Sequence, residues 1–537
     1  MRGHVLDTGN GAPVRARRRA ALALAALCVV TAAVLSQRAD DARSQSVQSR
    51  PNIVVITTDD QALSMMHEKF MPNAFKQIAD EGTMFTNSIV TTPLCCPSRA
   101  SLLTGEYAHN HGVINNFYDL LRDKGNVLPA WLQRAGYRTA HVGKFLNAYE
   151  RAVTDPAEVA PGWDVWYTTL GATRYFDYDV SANGRRIHFG TGRRSHVTRV
   201  LNNKAAALIR RSAPDPTPLY LQLDHRAPHT ETGVNSGGRC GARAVPEIPR
   251  DEKRARHLPL PVPPSFNEAD VTDKPSFIRD RPLLSEGRVK KITKRYECAI
   301  GTLSSVDRGI KQIARALKQV GELGNTVLVF TSDNGFYFGE HRIARDKTHP
   351  YEEGIRVPLM IRIPGAASGG VPLVPQVHEQ VANIDLAPTL LDLAGADSCT
   401  PDGPDDGSDE DCRVMDGRSL MPLLTRTSGW PSSRALLVEY DGAGSKGTSS
   451  CKYDGIRTPG RFYVEHVEIP DPLTGVCNEA DEAELYDLSA DPYQLQNLYP
   501  SDDEAAAALG ARLEGLRGCA GIQGRDPAPP EGLPYCE

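Results

Sequence analysis

Two adjacent cysteines, Cys95 and Cys96, stand in the stretch TTPLCCPSRASLLTG (91–105), followed at once by Pro97, Ser98 and Arg99. Neighbouring thiols do not easily bridge each other, so the pair points to a chemical role for one of them rather than to a cross-link. Two other polar groups end apolar runs. Asp59 and Asp60 follow NIVVITT, and Asp333, Asn334 and Gly335 follow NTVLVFTS. Their hard oxygen atoms are the donors that select Ca²⁺ or Mg²⁺ over softer metals. Taken alone, Asp59–Asp60 also reads as a helix cap, and Asp333–Asn334–Gly335 as a turn whose glycine supplies a positive φ.

The elements that must position these groups are legible from periodicity. Asn52 to Thr58 is a continuous, β-branched apolar run, the pattern of a strand covered on both faces. MPNAFKQIADEG then reads as a helix, with Pro72 near its start and Gly82 past its end. Far downstream, Tyr296, Ile300, Leu303, Ile310, Ile313, Leu317 and Val320 recur at helical spacing before the second buried strand. VPLMIRIPG reads as a strand and VANIDLAPTLLDLAG as a helix. This alternation predicts an α/β fold, a large mixed and mostly parallel sheet flanked by helices. Ligands of such sheets bind outside the carboxyl ends of the strands, so two strands ending in Asp aim their carboxylates at one crevice. From about residue 430 the pattern changes to short strands and turns closed by an amphipathic helix, DEAAAALGARLEGLRG. The expected organisation is an export segment and linker over 1–48, a catalytic domain over 49–428 and a smaller antiparallel α+β domain over 429–537.

The N-terminus carries Arg15 to Arg19, an apolar run from Ala21 to Leu35 and then a polar stretch, the layout of an export signal. The run is short for a membrane span. The protein is therefore expected outside the cytoplasm, with membrane anchoring as the alternative if the segment is not cleaved. Export commits cysteines to disulfides. Of eleven cysteines, Cys28 lies in the export segment, and eight others can form four bridges. Cys399–Cys412, Cys451–Cys477 and Cys519–Cys536 are near neighbours in sequence, although spacing alone does not fix connectivity. Cys95 and Cys96 are left over. The acidic loop between Cys399 and Cys412 reads as a solvated flap, with cation binding as the sharper alternative. A net charge of −5 over 537 residues argues against nucleic-acid binding.

The string C-x-P-S-R-x-x-x-L-T-G, met here by Cys95, Pro97, Ser98, Arg99, Leu103, Thr104 and Gly105, resembles the signature of the sulfatase family. PNIVVITTDDQ, GKFLNAY, TSDNGFYFGEHR, DKTHPYEEGIRVPL and ELYDLSADPYQLQNL resemble sulfatase segments in the same order. PLCCPSRASLLTG, NHGVINN and GKFLNAY are most similar to the N-acetylglucosamine-6-sulfatase branch. The resemblance implies the alkaline phosphatase superfamily fold, consistent with the α/β reading. It further implies that a formylglycine-generating enzyme converts Cys95 to formylglycine (3-oxoalanine), while Cys96 stays an unmodified buried cysteine. Asp59, Asp60, Asp333 and Asn334, with an oxygen at position 95, become the ligands of a divalent cation, Ca²⁺ being favoured and Mg²⁺ the alternative. The hydrated aldehyde offers one hydroxyl to attack sulfur and a second whose deprotonation expels sulfate. Arg99 then fixes the hydrated aldehyde, Lys144 and Lys347 contact sulfate oxygens, and His229 and Lys347 are candidate proton donors to the leaving oxygen. One departure stands out. Many sulfatases have Lys-x-His where this chain has Lys144-Phe145-Leu146, which leaves the base for sulfate release open among His111, Asn147 and His341.

The implied activity is hydrolysis of a sulfuric ester on a sulfated sugar, glucosamine 6-sulfate by family branch. The competing readings are a broad arylsulfatase, a phosphate or phosphonate ester hydrolase of the same superfamily, and a noncatalytic glycan-binding protein. A two-zinc phosphatase would need a second set of Asp and His ligands, which the sequence does not display.

Overall fold

Asn52–Asp59 (β1) is apolar on both faces because it lies in the middle of a ten-stranded sheet. The structure is a computed structural model and describes residues 1, 3, 50–231, 240, 243–365, 368–400, 411–442, 450–471, 476–529 and 532–537. It divides into Met1–Ser49 and Arg50–Glu537. The export-segment reading falls outside the described residues, as does most of the acidic loop. No described helix is long and apolar enough to cross a membrane.

The sheet runs through Thr83–Phe85 (β2), Arg138–Gly143 (β3), Val165–Leu170 (β4), Tyr178–Ala182 (β5), Arg185–Phe189 (β6), Leu219–Pro228 (β7), Thr326–Ser332 (β8), Leu359–Arg362 (β9) and Gln376–Val377 (β10). Its spatial order is β10-β2-β9-β8-β1-β7-β3-β4-β5-β6. The five central strands, β8-β1-β7-β3-β4, are parallel. Antiparallel pairings occupy the flanks: β9 with β8 and β2, and β5 with β4 and β6.

Strand alternation sends successive residues of β1 to opposite faces. Val54 and Ile56 pack with Leu221, Leu328 and Phe330 against Val197–Ser212 (α2) and Glu286–Gln319 (α3). Ile53 and Val55 pack on the other face with Cys95–Thr104 (α1) and Leu386–Ala394 (α4). α3 begins where the Ser285 side chain accepts a hydrogen bond from Arg288 N, an N-cap that satisfies one of its orphan donors. It then lays Ile300, Leu303, Ile310 and Ile313 on the sheet, the periodicity read from the sequence.

Leu436–Tyr440 (β11), Tyr453–Arg457 (β12), Arg461–Pro470 (β13) and Cys477–Asp487 (β14) form a separate antiparallel sheet, backed by Asp503–Leu516 (α5). Its core includes Ile89, Leu94, Tyr107 and Ile355 from the larger part. Buried Arg434 pairs with Asp385 at 2.6 and 2.8 Å across the same junction. Cys240–Cys298, Cys399–Cys412, Cys451–Cys477 and Cys519–Cys536 are disulfides, so the three near-sequence pairings are all present. Cys95 and Cys96 are free and buried.

Candidate active site

β1 and β8 are hydrogen-bonded neighbours in parallel register, with Thr58 opposite Ser332. Their ends therefore deliver Asp59, Asp60, Asp333 and Asn334 to one point. Asp60 turns out of the strand at φ +68°, a left-handed conformation that is uncommon away from glycine and typical of functional sites. Its amide donates to Asp333 Oδ1 at 3.1 Å, and Asn334 Nδ2 donates to Asp60 Oδ1 at 2.8 Å. Asn334 Oδ1 is buried without a partner among the described residues. α1 presents Cys95 from its first turn, with Sγ 3.5 Å from Asp59 Oδ1. Ligand atoms of Asp59, Asp60, Cys95 and Asp333 all lie within 4.8 Å of one another, and all four residues are buried.

Cations surround this group. Arg99, one helical turn after Cys95, donates from Nε to Asp333 Oδ2 at 2.8 Å and from Nη1 to the Lys144 carbonyl at 2.9 Å. Lys144 Nζ is 2.9 Å from Asp59 Oδ2. Lys347 Nζ sits between Asp60 Oδ1 (2.6 Å) and Cys95 Sγ (2.8 Å). His229 Nε2 is 3.6 Å from Asp60 Oδ2, while Nδ1 lies 2.5 Å from the Thr230 carbonyl. That carbonyl can only accept, so Nδ1 carries a proton and Nε2 is the atom that exchanges one. Asp60, Cys95, Lys144, His229 and Lys347 line a cavity of about 370 Å³, with Asp59, Arg99, Asp333 and Asn334 around and beneath it.

The electrostatics follow from this crowding. Burial pushes the Cys95 thiol up to about 12. Lys144 and Lys347 pull against that shift, and Asp59 and Asp333 add to it. An unmodified thiol here is protonated near neutrality and a weak nucleophile. Burial would raise Asp59, but Lys144, His229, Lys347 and Arg99 outweigh it and hold the carboxylate below its ordinary range. Burial and the Asp59 charge push Asp333 upward against Arg99 and the lysines. The crowded carboxylates of Asp59, Asp60 and Asp333 and the unpartnered amide oxygen of Asn334 are hard donors that fit a divalent cation of the Ca²⁺ or Mg²⁺ type, whose charge would relieve the repulsion.

Two backbone approaches are set by glycine. A Cβ on Gly143 (φ +125°) would fall 1.9 Å from the Asp224 carbonyl oxygen, which also accepts from Lys144 N at 2.9 Å. A Cβ on Gly335 would fall 2.0 Å from the Glu353 carbonyl oxygen.

All nine residues singled out from the sequence thus converge. Of the three candidates for the release-step base, only Asn147 joins them. His111 is buried against Ser101 Oγ at 3.1 Å, and His341 lies against Glu268 Oε2 at 2.8 Å; neither lines the cavity, whereas Asn147 does. Three residues that the sequence reading passed over belong to the site. Asp224 reaches Arg99 Nη1 at 3.4 Å and His141 Nε2 at 3.0 Å, and His141 Nδ1 reaches Thr168 Oγ1 at 2.6 Å. Arg226, on the same strand, lines the cavity. For Asp224 and Arg226 the available signal was a set of charged residues inside β7, all ten of whose residues are buried, since charges rarely enter such a strand without a partner or a task.

Comparison with known proteins identifies the family. The family profile described as "Sulfatase" matches residues 51–396, and that described as "N-sulphoglucosamine sulphohydrolase, C-terminal" matches 339–517. The chain is 33% identical over 535 residues to an arylsulfatase of Volvox carteri, across 91% of this chain and 76% of that protein. It is 30% identical over 516 residues to the N-acetylglucosamine-6-sulfatase of Homo sapiens, across 89% and 86%. A solved structure described as a complex with its substrate D-glucosamine-2-N,6-O-disulfate superposes with a TM-score of 0.65 at 25% identity, across 87% of this chain and 97% of that one.

Proposed function

The chain belongs to the sulfatase family and is a sulfuric ester hydrolase, and from that premise we propose that it removes sulfate from a sulfated sugar, most specifically a glucosamine 6-sulfate. The observation that carries this reading is the convergence of Cys95, Asp59, Asp60, Asp333 and the unpartnered Asn334 oxygen beneath a cation-lined cavity. The sugar assignment rests on the N-acetylglucosamine-6-sulfatase relative and on the amino-sugar complex of the structural neighbour.

In this reading Asp59, Asp60, Asp333 and Asn334 hold a Ca²⁺ ion, with Mg²⁺ as the alternative. When present, the cation neutralises sulfate oxygens, and formylglycine at position 95 supplies a hydroxyl nucleophile that the buried thiol does not. The side chains do the rest. Lys144 and Lys347 are matched to Asp59 and Asp60, so their ammonium groups are held at the cavity floor, where they can turn to sulfate oxygens. In a water-poor pocket such fixed charges act on developing negative charge without reorganising. His229 delivers a proton from Nε2 to the leaving sugar oxygen, its orientation set by the Thr230 carbonyl. Arg99 ties α1 to Asp333 and so fixes the distance between position 95 and the cation ligands. Leu146 leaves sulfate release without the histidine found in many relatives; Asn147 is the polar side chain nearest in sequence on the cavity wall. The export-like N-terminus and four disulfides support maturation outside the cytoplasm, after a formylglycine-generating enzyme has read the Cys95 string.

The test is mass spectrometry of the peptide spanning Thr91 to Ala100 from active protein, together with sulfate release from N-acetylglucosamine 6-sulfate. The expected peptide has exchanged the sulfur and two hydrogens of Cys95 for one oxygen. Fully active protein carrying an ordinary thiol would overturn the mechanism. The arylsulfatase relative gives the broader reading its support, and side-by-side rates on 4-nitrophenyl sulfate and 4-nitrophenyl phosphate separate an arylsulfatase from a phosphate ester hydrolase.

A further inference from the structure

Arg226 is a buried guanidinium, 4% exposed, in the wall of the catalytic cavity. Its hydrogen bonds go to neutral groups. Nε donates to Thr169 Oγ1 at 2.9 Å, and Nη2 to the carbonyls of Thr169 (3.4 Å) and Gly171 (3.1 Å). Nη1 takes part in none of them. Among the described residues no carboxylate forms an ion pair with it; the longer-range charges of Asp59 and Glu150 favour its cation, and that of Arg99 opposes it. The cations around position 95 are matched: Arg99 by Asp333, Lys144 by Asp59, Lys347 by Asp60. Arg345, at the same cavity, bonds to Thr230 Oγ1 at 3.3 Å and likewise has no described carboxylate partner.

Taking a guanidinium out of water is costly unless an anion meets it. A protein that keeps one buried in a substrate cavity gains from it when the ligand supplies that anion. The scissile sulfate is already served by the cavity-floor lysines and His229. Arg226 is held by the end of β4, through Thr169 and Gly171, and not by the carboxylates that hold the lysines. We propose that Arg226, with Arg345 at the rim, binds a second anionic group of the substrate, a sulfate or carboxylate on the sugar that carries the scissile ester or on its neighbour. The planar fork of Arg suits either oxyanion. This rests on the sugar-sulfatase reading and deepens it: the preferred substrate is doubly anionic.

The experiment compares kcat/KM of the full-length protein on glucosamine 2-N,6-O-disulfate, which carries a second sulfate, with N-acetylglucosamine 6-sulfate, which does not. A 6-sulfated disaccharide with a uronic acid serves as the carboxylate arm. The wild type should favour one doubly anionic substrate by about 10- to 100-fold, the range of a charge-assisted hydrogen bond. Arg226→Gln should bring that ratio close to one, chiefly through KM, and Arg226→Lys should restore part of it. Because the readout is a ratio, a general loss of activity does not mimic it. If Arg226→Gln does not fold, the wild-type ratio and Arg226→Lys decide. Equal wild-type kcat/KM on singly and doubly anionic sugars, or an unchanged ratio in Arg226→Gln, would overturn the proposal. If aryl sulfate is cleaved but no sugar is, the sugar reading fails. The same sugars are then compared as inhibitors of 4-nitrophenyl sulfate hydrolysis, and Arg226 stands or falls on whether the doubly anionic ones bind tighter.

Discussion

Cys95 and Cys96 carry the same side chain one residue apart, and helix geometry alone turns them about 100° from each other. Cys95 faces Asp59 and Lys347, while Cys96 sinks among Ala100, Leu103 and Val113 in the hydrophobic core. Replacing each with alanine should separate chemistry from packing. Cys95→Ala is expected to abolish sulfate release while leaving the circular dichroism spectrum unchanged. Cys96→Ala is expected to retain activity and lose about 1–2 kcal/mol of stability, measured by denaturant unfolding. Arg99 is a second residue-scale case. Its guanidinium reaches Asp333, Asp224 and a backbone carbonyl from one plane, which an ammonium does not do. Arg99→Lys should lower kcat/KM on 4-nitrophenyl sulfate by roughly 100-fold. The residues of the signature were readable because type, spacing and order coincide. Asp224, His141 and Arg226 were not, because their partners Arg99, Thr168 and Thr169 lie far away in sequence.

At the scale of elements, the site depends on strands ending at the same level and on backbones touching where they end. Gly143 closes β3 against the Asp224 carbonyl just before Lys144. Gly143→Ala is therefore expected to lower the melting temperature and to cut kcat/KM at least about tenfold, since relief of the clash moves Lys144. A second junction joins the helical turn after α1 to the C-terminal sheet. His109 Nδ1 lies 3.2 Å from the Glu439 carboxylate of β11, and Nε2 lies 3.0 Å from the Cys519 carbonyl. Burial alone would lower this imidazole, but the charge and hydrogen bond of Glu439 and the Cys519 carbonyl raise it to about 9. Between the ordinary histidine value and 9 the folded chain holds a proton that the unfolded chain has released. The contribution is complete below about pH 6.5 and is lost as pH rises through about 9, up to about 3 kcal/mol. Melting temperature should fall by a few degrees over that window, and His109→Gln should flatten the fall; an identical slope in the variant would refute the assignment.

For the whole molecule, two constraints hold distant parts together. The Cys240–Cys298 bridge ties the segment before helix α3 to its middle across 58 residues. By chain entropy its removal in a Cys240→Ser, Cys298→Ser pair should cost about 4 kcal/mol, read by denaturant unfolding. The second constraint is the proposed cation, which would join the ends of β1 and β8. A chelator should abolish activity and lower the melting temperature, and Ca²⁺ should restore both, because an ion that binds only the folded state stabilises it by mass action. Unchanged melting and activity after exhaustive chelation would contradict the metal reading.

The order of strands and helices, the two acid-ended strands and the Cys95 string were determined by the sequence alone, because each is local: a period, a terminus, a short spacing. Pairing over long distances was decided only by the tertiary structure. Parallel neighbours such as β1 and β8 carry no hairpin to announce them, and nothing local tells Arg99 that Asp333 and Asp224 will be its partners. The same reason separates His111 and His341 from the cavity and brings Arg226 into it. Burial and counter-charge belong to the assembled sheet, not to the strand that carries the residue.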